Sequence, residues 1–312
     1  MKALRKIAVV SVLALAALNG NAQQDPMYTH YMYNTLSVNP AYAGSRDALT
    51  VTGLHRSQWV SFSGAPMTQT ITLHSPLRNE KIGLGLTLLN DKIGPTNNTS
   101  IFGDFAYRIK LNEKSKLAFG LSGGVNIFQA RLSTLQLDQQ SDPTFQNNIS
   151  NKVIPNFGAG IYYSRERFYA GISAPGLLQN NYSLITVNGN DLIGKEQRHY
   201  FFIAGAMIKM GENLDFKPTT LIKVTNGAPA QADLTAAFVI KQKFLLGANF
   251  RTGDSFGALI GFDFTDLIHL GYSYDWSYGL KTGKYNSGSH EVILRCDFLR
   301  IGKKQIHSPR YF

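Results

Sequence analysis

Seven histidines (His30, His55, His74, His199, His269, His290 and His307) and one cysteine, Cys296, are the side chains that metal binding or nucleophilic catalysis would draw on. Their spacing serves neither. No HExxH pair is present to hold zinc, and no GxxxxGK[ST] loop to cradle a phosphate. No GxSxG nucleophile elbow is expected, and runs of helical period with helix caps are absent. GAGIYY at 158–163 has the glycines of a dinucleotide turn but reads as strand, with no helix behind it. His269 and Ser273 share a face, yet four residues of extended chain separate them by roughly 13 Å, too far for proton transfer. A single cysteine also excludes a disulfide framework and any multi-cysteine zinc site. The chain is expected to be no enzyme, with no metal and no cofactor.

The elements that carry these residues are strands. In Ile268–Trp276, Ile268, Leu270, Tyr272, Tyr274 and Trp276 alternate with His269, Gly271, Ser273 and Asp275, so one face is apolar and aromatic, the other small or polar. Val292, Leu294, Cys296 and Phe298 oppose Glu291, Arg295 and Asp297 in the same way, which places Cys296 on the apolar face as a small hydrophobe. About fourteen such segments lie near 47–57, 66–75, 81–90, 99–110, 116–130, 155–163, 167–174, 198–208, 214–225, 231–240, 243–250, 256–263, 268–276 and 290–299. Every second connection is a short charged turn: PLRNEK (76–81), LNEKS (111–115), SRE (164–166), KMGEN (209–213), KQK (241–243) and FTDL (264–267). The alternate ones are generally longer and polar, notably 131–154, 175–197 and 277–289, although those near 226–230 and 251–255 are short.

That parity, with 44% hydrophobic residues and only 16% charged, points away from a soluble sandwich. It predicts an all-β transmembrane antiparallel barrel of about fourteen strands, with short periplasmic turns, longer extracellular loops and apolar residues facing lipid. The sheet must close, because an open edge in hydrocarbon leaves backbone groups unpaired. Glycines within the strands, such as Gly120, Gly123, Gly124, Gly158, Gly160 and Gly171, are then bends and points of close approach.

Lys2, Arg5 and Lys6 precede the apolar run Ile7–Leu18, and Gly20 and Ala22 stand at −3 and −1 of a cut before Gln23, the layout of an export signal. The expected organisation is a signal peptide (1–22), an N-terminal plug or docking segment (23–46), the barrel (47–299) and a C-terminal tail (300–312). The net charge of +11, three of it in that signal, calls for an anionic counterpart. For an exported chain this means lipopolysaccharide or an acidic protein rather than nucleic acid.

Residues 25–77 contain NPAYAG (39–44) and QWVSFSGAP (58–66), followed by NDKIGPT (90–96), SKLAFGLSGGV (115–125), VIPNFGAGIYY (153–163), YSYDWS (272–277), GSHEVILRCDF (288–298) and SPRYF (308–312). Over nearly the whole mature chain these resemble the PorP/SprF family of outer-membrane proteins of the type IX secretion system, and most closely its SprF gliding-motility branch. The resemblance implies a barrel that works with the translocon or periplasmic components. It also implies a role in holding a large secreted adhesin at the cell surface through that adhesin's C-terminal domain. A passive channel for small or apolar solutes is the alternative.

Three residue sets follow. Tyr28, Tyr31, Tyr33, Asn39, Pro40, Tyr42 and Gly44 mark the N-terminal segment, with NPAYAG as a turn in which Gly44 is free to take a positive φ. Trp59, Phe62, Phe145, Tyr182, Trp276, Tyr278 and Tyr285 are the aromatic anchors of a partner site on the outer loops. Arg56, Asp104, Arg108, His269, Asp275, Glu291, Arg295 and Asp297 are expected to face the lumen.

Overall fold

The structure, a computed structural model, describes residues 26–135, 148–187, 190–278 and 286–298, with the backbone alone for 181–195. The expected signal peptide (1–22) and C-terminal tail (300–312) lie outside the described residues. Seventeen strands are described: β1 (Leu49–Ser57), β2 (Met67–Pro76), β3 (Ile82–Ile93), β4 (Thr96–Asn112), β5 (Ser115–Ala130), β6 (Ile149–Arg165), β7 (Phe168–Ala174), β8 (Asn181–Val187), β9 (Asn190–Lys195), β10 (His199–Ala206), β11 (Ile208–Lys209), β12 (Leu214–Thr225), β13 (Gln231–Ile240), β14 (Phe244–Arg251), β15 (Ser255–Thr265), β16 (Ile268–Ser277) and β17 (Ser289–Phe298).

Fourteen of these make the wall. β1–β7, β10 and β12–β17 pair antiparallel in chain order, β10 pairs with β12, and β1 pairs with β17, so the sheet closes as expected. β11 continues β10 past Met207, and β8–β9 is a separate hairpin inside the connection from β7 to β10. Closure follows from where the side chains go. Leu121 is 62% exposed on the outer face while Glu291 is 0% exposed inside. In water that inversion would be unstable; in a bilayer the outer residues keep apolar company and closure leaves no open sheet edge in the wall.

The turns that alternate short and charged sit at the end where β1 begins and β17 ends, the periplasmic end by the usual barrel arrangement. The outer connections depart from expectation in one more place than the sequence indicated. Residues 91–93 and 96–98 of this polar stretch are strand, and β3 joins β4 through Gly94–Pro95 alone. Gly94 takes φ +54° there, and Asn90 donates to Asn97 Oδ1 at 3.0 Å and Thr99 Oγ1 at 2.9 Å, so polar side chains bond across the hairpin instead of leaving it for solvent. β4, β5 and β6 accordingly run to 16 or 17 residues, whereas β7 has seven.

Candidate functional site

The residues from Pro26 to Ala48 lie inside the cylinder. Tyr28, Tyr31, Tyr33, Asn39, Pro40 and Tyr42 are all buried, and Gly44 has φ +69°. Two short 3-10 turns, Thr35–Ser37 and Pro40–Tyr42, fold the segment back on itself. The second starts well because Asn39 Oδ1 accepts from the Ala41 N–H at 2.9 Å and Pro40 occupies the first helical position. The segment then bonds to strands on every side. Tyr31 Oη lies 2.9 Å from Thr219 Oγ1 on β12 and donates to Thr235 Oγ1 on β13 at 3.3 Å. Asn34 Nδ2 donates to Thr70 on β2 at 3.0 Å, Asn39 Nδ2 to the Ile161 carbonyl of β6 at 3.1 Å, and Ser173 of β7 to the Val38 carbonyl at 2.7 Å. Burial holds the Tyr31 and Tyr33 phenols above their ordinary pKa, by desolvation first.

The wall around this segment holds buried charge. On β1, Arg56 Nη1 lies 2.7 Å from Asp275 on β16 and 3.1 Å from Glu291 on β17. Glu291 also accepts from the backbone N–H of Thr29 at 2.9 Å and of His30 at 2.7 Å, and meets His30 Nδ1 at 2.8 Å. Nearer the periplasmic end Arg46 holds Asp297 through Nε at 3.1 Å and Nη2 at 2.7 Å, while Thr50 donates to Asp297 at 2.6 Å. Arg295 is buried beside them, with Asp297 at 3.8 Å. Asp104 accepts from Thr87 at 2.9 Å, and Arg108 donates to the Gly44 carbonyl. His269 lies 2.8 Å from Asp263 and stacks on Tyr33 with ring centroids 4.1 Å apart. All eight residues read from the alternation as lumen-facing are thus buried on the inner side of the wall. Other charged partners of this network were not singled out in the sequence, among them His30, Arg46, Asp233 and Arg251, the last pair 2.8 Å apart. Strand alternation places Asp233 and Arg251 inward and would have found them; nothing local marks His30 or Arg46.

Among the described residues the outer aromatics do not gather into one cluster. Phe62 is exposed and Trp59 half-buried in the β1–β2 loop, which is zipped to the β16–β17 loop by Val60 N–H to the Gly288 carbonyl at 2.9 Å and Ser287 N–H to the Val60 carbonyl at 2.8 Å. Trp276 belongs to β16 and points outward, edge-on to Tyr274, rather than standing in a loop. Tyr278 packs on Phe250 and Phe256, accepts from Gly253 N–H at 2.9 Å and donates to the Arg251 carbonyl at 3.1 Å, so it braces the β14–β15 turn. Phe145 and Tyr285 lie outside the described residues, and Tyr182 is described by its backbone alone. Ser122 sits in GLSGG (120–124), which spells GxSxG, but mid-strand in β5 rather than at an elbow. Among the described residues no cluster of His, Cys, Asp or Glu has the arrangement of a metal site.

A closed fourteen-strand wall, apolar outside, polar inside and filled by the chain's own N-terminal segment, defines an outer-membrane β-barrel protein. Residues 20–296 match the family of type IX secretion system membrane proteins PorP/SprF, and the chain belongs to that family. It is an outer-membrane barrel of the type IX secretion system. No curated protein sequence matches it. Among solved structures it is similar to the CymD monoaromatic hydrocarbon channel (9% identity, 86% of this chain and 93% of that one, TM-score 0.50). It is also similar to a Pseudomonas aeruginosa FadL homologue (11%, 89% and 95%, 0.47) and to Acinetobacter baumannii Omp33 (8%, 82% and 100%, 0.46). At 9% identity the likeness to the hydrocarbon channel is one of barrel fold alone.

Proposed function

We propose that this barrel supports the secretion and surface anchoring of a large adhesin, gripping the adhesin's C-terminal domain at its outer rim in the manner of the gliding-motility branch of the family. The observation that carries the reading is the family match across residues 20–296. The filled lumen supports it against a passive channel: residues 26–48 bond to the wall on several sides, so recognition falls to the rims. Residues 1–22 serve as the export signal and are removed before Gln23. The N-terminal segment closes the barrel and offers its periplasmic face to translocon or periplasmic components, while the excess positive charge meets lipopolysaccharide.

On the outer rim the zipped first and seventh loops present Trp59 and Phe62 as aromatic anchors within a polar border. The test is purification of the full barrel from native membranes in detergent. A large surface protein is expected to accompany it, and Trp59→Ala with Phe62→Ala is expected to release that protein into the medium while barrel abundance stays unchanged. Surface retention equal to the parent would discard this rim site. Steady single-channel conductance of the purified barrel, with no companion protein, would replace anchoring with transport.

A further inference from the structure

We propose that the periplasmic mouth holds a binding site for a small oxyanion, a carboxylate or a phosphate, with Arg295 and Lys217 as its floor. A cavity of about 520 Å³ opens between the turns at 241–243 and 266–267 and reaches inward to Tyr33. Its volume falls within the range of small-ligand pockets, roughly 300–1,000 Å³.

The floor is built rather than incidental. Lys217 and Arg295 project inward from β12 and β17, only 2% and 6% exposed, and both lie against the Tyr33 ring, Lys217 Nζ at 4.3 Å and Arg295 Cζ at 5.0 Å from its centroid. Arg295 has an incomplete set of partners. Among the described residues its Nε and Nη1 find no hydrogen-bond partner. Its nearest carboxylate, Asp297, is 3.8 Å away and already holds Arg46 at 2.7 Å. A buried guanidinium in that position is stabilised by an incoming anion more than by water, since charge-assisted bonds to oxyanions are its strongest.

The rest of the lining agrees. Lys241 and Lys243 stand at the rim; with Arg46 set against its own partner Asp297, they leave four cations around the cavity, together with Lys217 and Arg295, against the three carboxylates Asp215, Asp263 and Asp266. Asp263 is further engaged by His269 at 2.8 Å. Exposed rim lysines above buried basic groups form a funnel that draws anions in from the periplasmic side. The cavity is larger than phosphate alone needs, which fits an oxyanion carried on a larger body, such as a peptide ending in a free carboxylate or a phosphate ester.

The experiment uses the full barrel in a neutral detergent at low salt, titrated by calorimetry with inorganic phosphate, with succinate, and with a short neutral peptide in free-acid and amidated forms. Saturable binding of at least one oxyanion is expected. Arg295→Gln should weaken it about tenfold or more, the loss of one charge-assisted bond. Lys241→Gln with Lys243→Gln should weaken it less and flatten its salt dependence. Phosphate binding more tightly than succinate and the peptide would assign a phosphate-bearing ligand; the free-acid peptide binding well above its amide would assign a carboxylate. Absence of saturable binding by every probe would overturn the site. So would parental affinity in Arg295→Gln. Should that variant fail to fold, Lys217→Met and the rim pair decide: unchanged affinity in both would equally overturn the proposal.

Discussion

The two sides of the lumen hold the N-terminal segment by different physics. On the side of β1, β16 and β17 the wall supplies charge: Arg56 joins Asp275 and Glu291, and Glu291 takes the backbone of Thr29 and His30 as further donors. On the side of β5–β7 the wall supplies empty space. A Cβ at Gly120 would overlap the backbone of Pro40 and Ala41, and one at Gly160 would overlap the Asn39 side chain. One side recognises the segment by neutralising groups that would be costly to bury alone; the other recognises it by shape, because only glycine lets two backbones come so close. The lesson is that side chains which are missing can specify a docking surface as strictly as side chains which are present.

The charged side should break hardest. Arg56→Met leaves Glu291 without its arginine and Asp275 with only Arg251, 3.9 Å away, and is expected to cost about 3–5 kcal/mol. Adding Asp275→Asn and Glu291→Gln should restore most of it, measured by denaturant unfolding in detergent. If the triple variant is no more stable than the single, neutralisation is not what this side contributes. The glycine side should respond more mildly and resist chemical rescue. Gly120→Ala is expected to cost about 1–3 kcal/mol and to make residues 36–44 accessible to protease. Ala41→Gly should not repair it, because the obstruction is Ala41 backbone. Repair by that change would contradict the close-approach account.

The smallest effect probes the seam between the two sides, where Tyr31 bonds to Thr219 and Thr235. Tyr31→Phe should cost about 1 kcal/mol. The parent should also lose stability as pH rises above about 10, the ordinary phenol value, because the unfolded chain then releases protons that the buried Tyr31 and Tyr33 retain. That alkaline slope should shrink in Tyr31→Phe; an unchanged slope would remove Tyr31 from the account.

Much of this was legible in advance. The alternation in Ile268–Trp276 and in the last strand assigned each residue to a face, since a strand has no other way to place successive side chains. Trp276 shows the limit: it continues the outward register of β16, yet the sequence also places it among the loop aromatics because strand ends are not marked in sequence. The stretch 91–98 departs from its expected loop for a related reason. Asn, Asp, Lys and Thr suit a solvent loop in composition, and only the cross-strand bonds of Asn90 show that a two-residue turn can leave them paired. Tyr278 is exposed on the outer rim, and that its hydroxyl binds the backbone of a neighbouring turn, a partner 25 residues distant in sequence, has no local signal.

By itself the sequence determined the barrel: period-two alternation set inside against outside, the parity of short and long connections set the two ends, and fourteen segments set the circumference. Which inward groups meet was decided only by the tertiary structure. His30 reaches Glu291 across 261 residues and Arg46 reaches Asp297 across 251, pairings that exist because β1 closes on β17 and the N-terminal segment folds back through the lumen. Facing is a local property of an extended chain; pairing across the lumen depends on closure and on the path of the segment within it, and no local pattern encodes either.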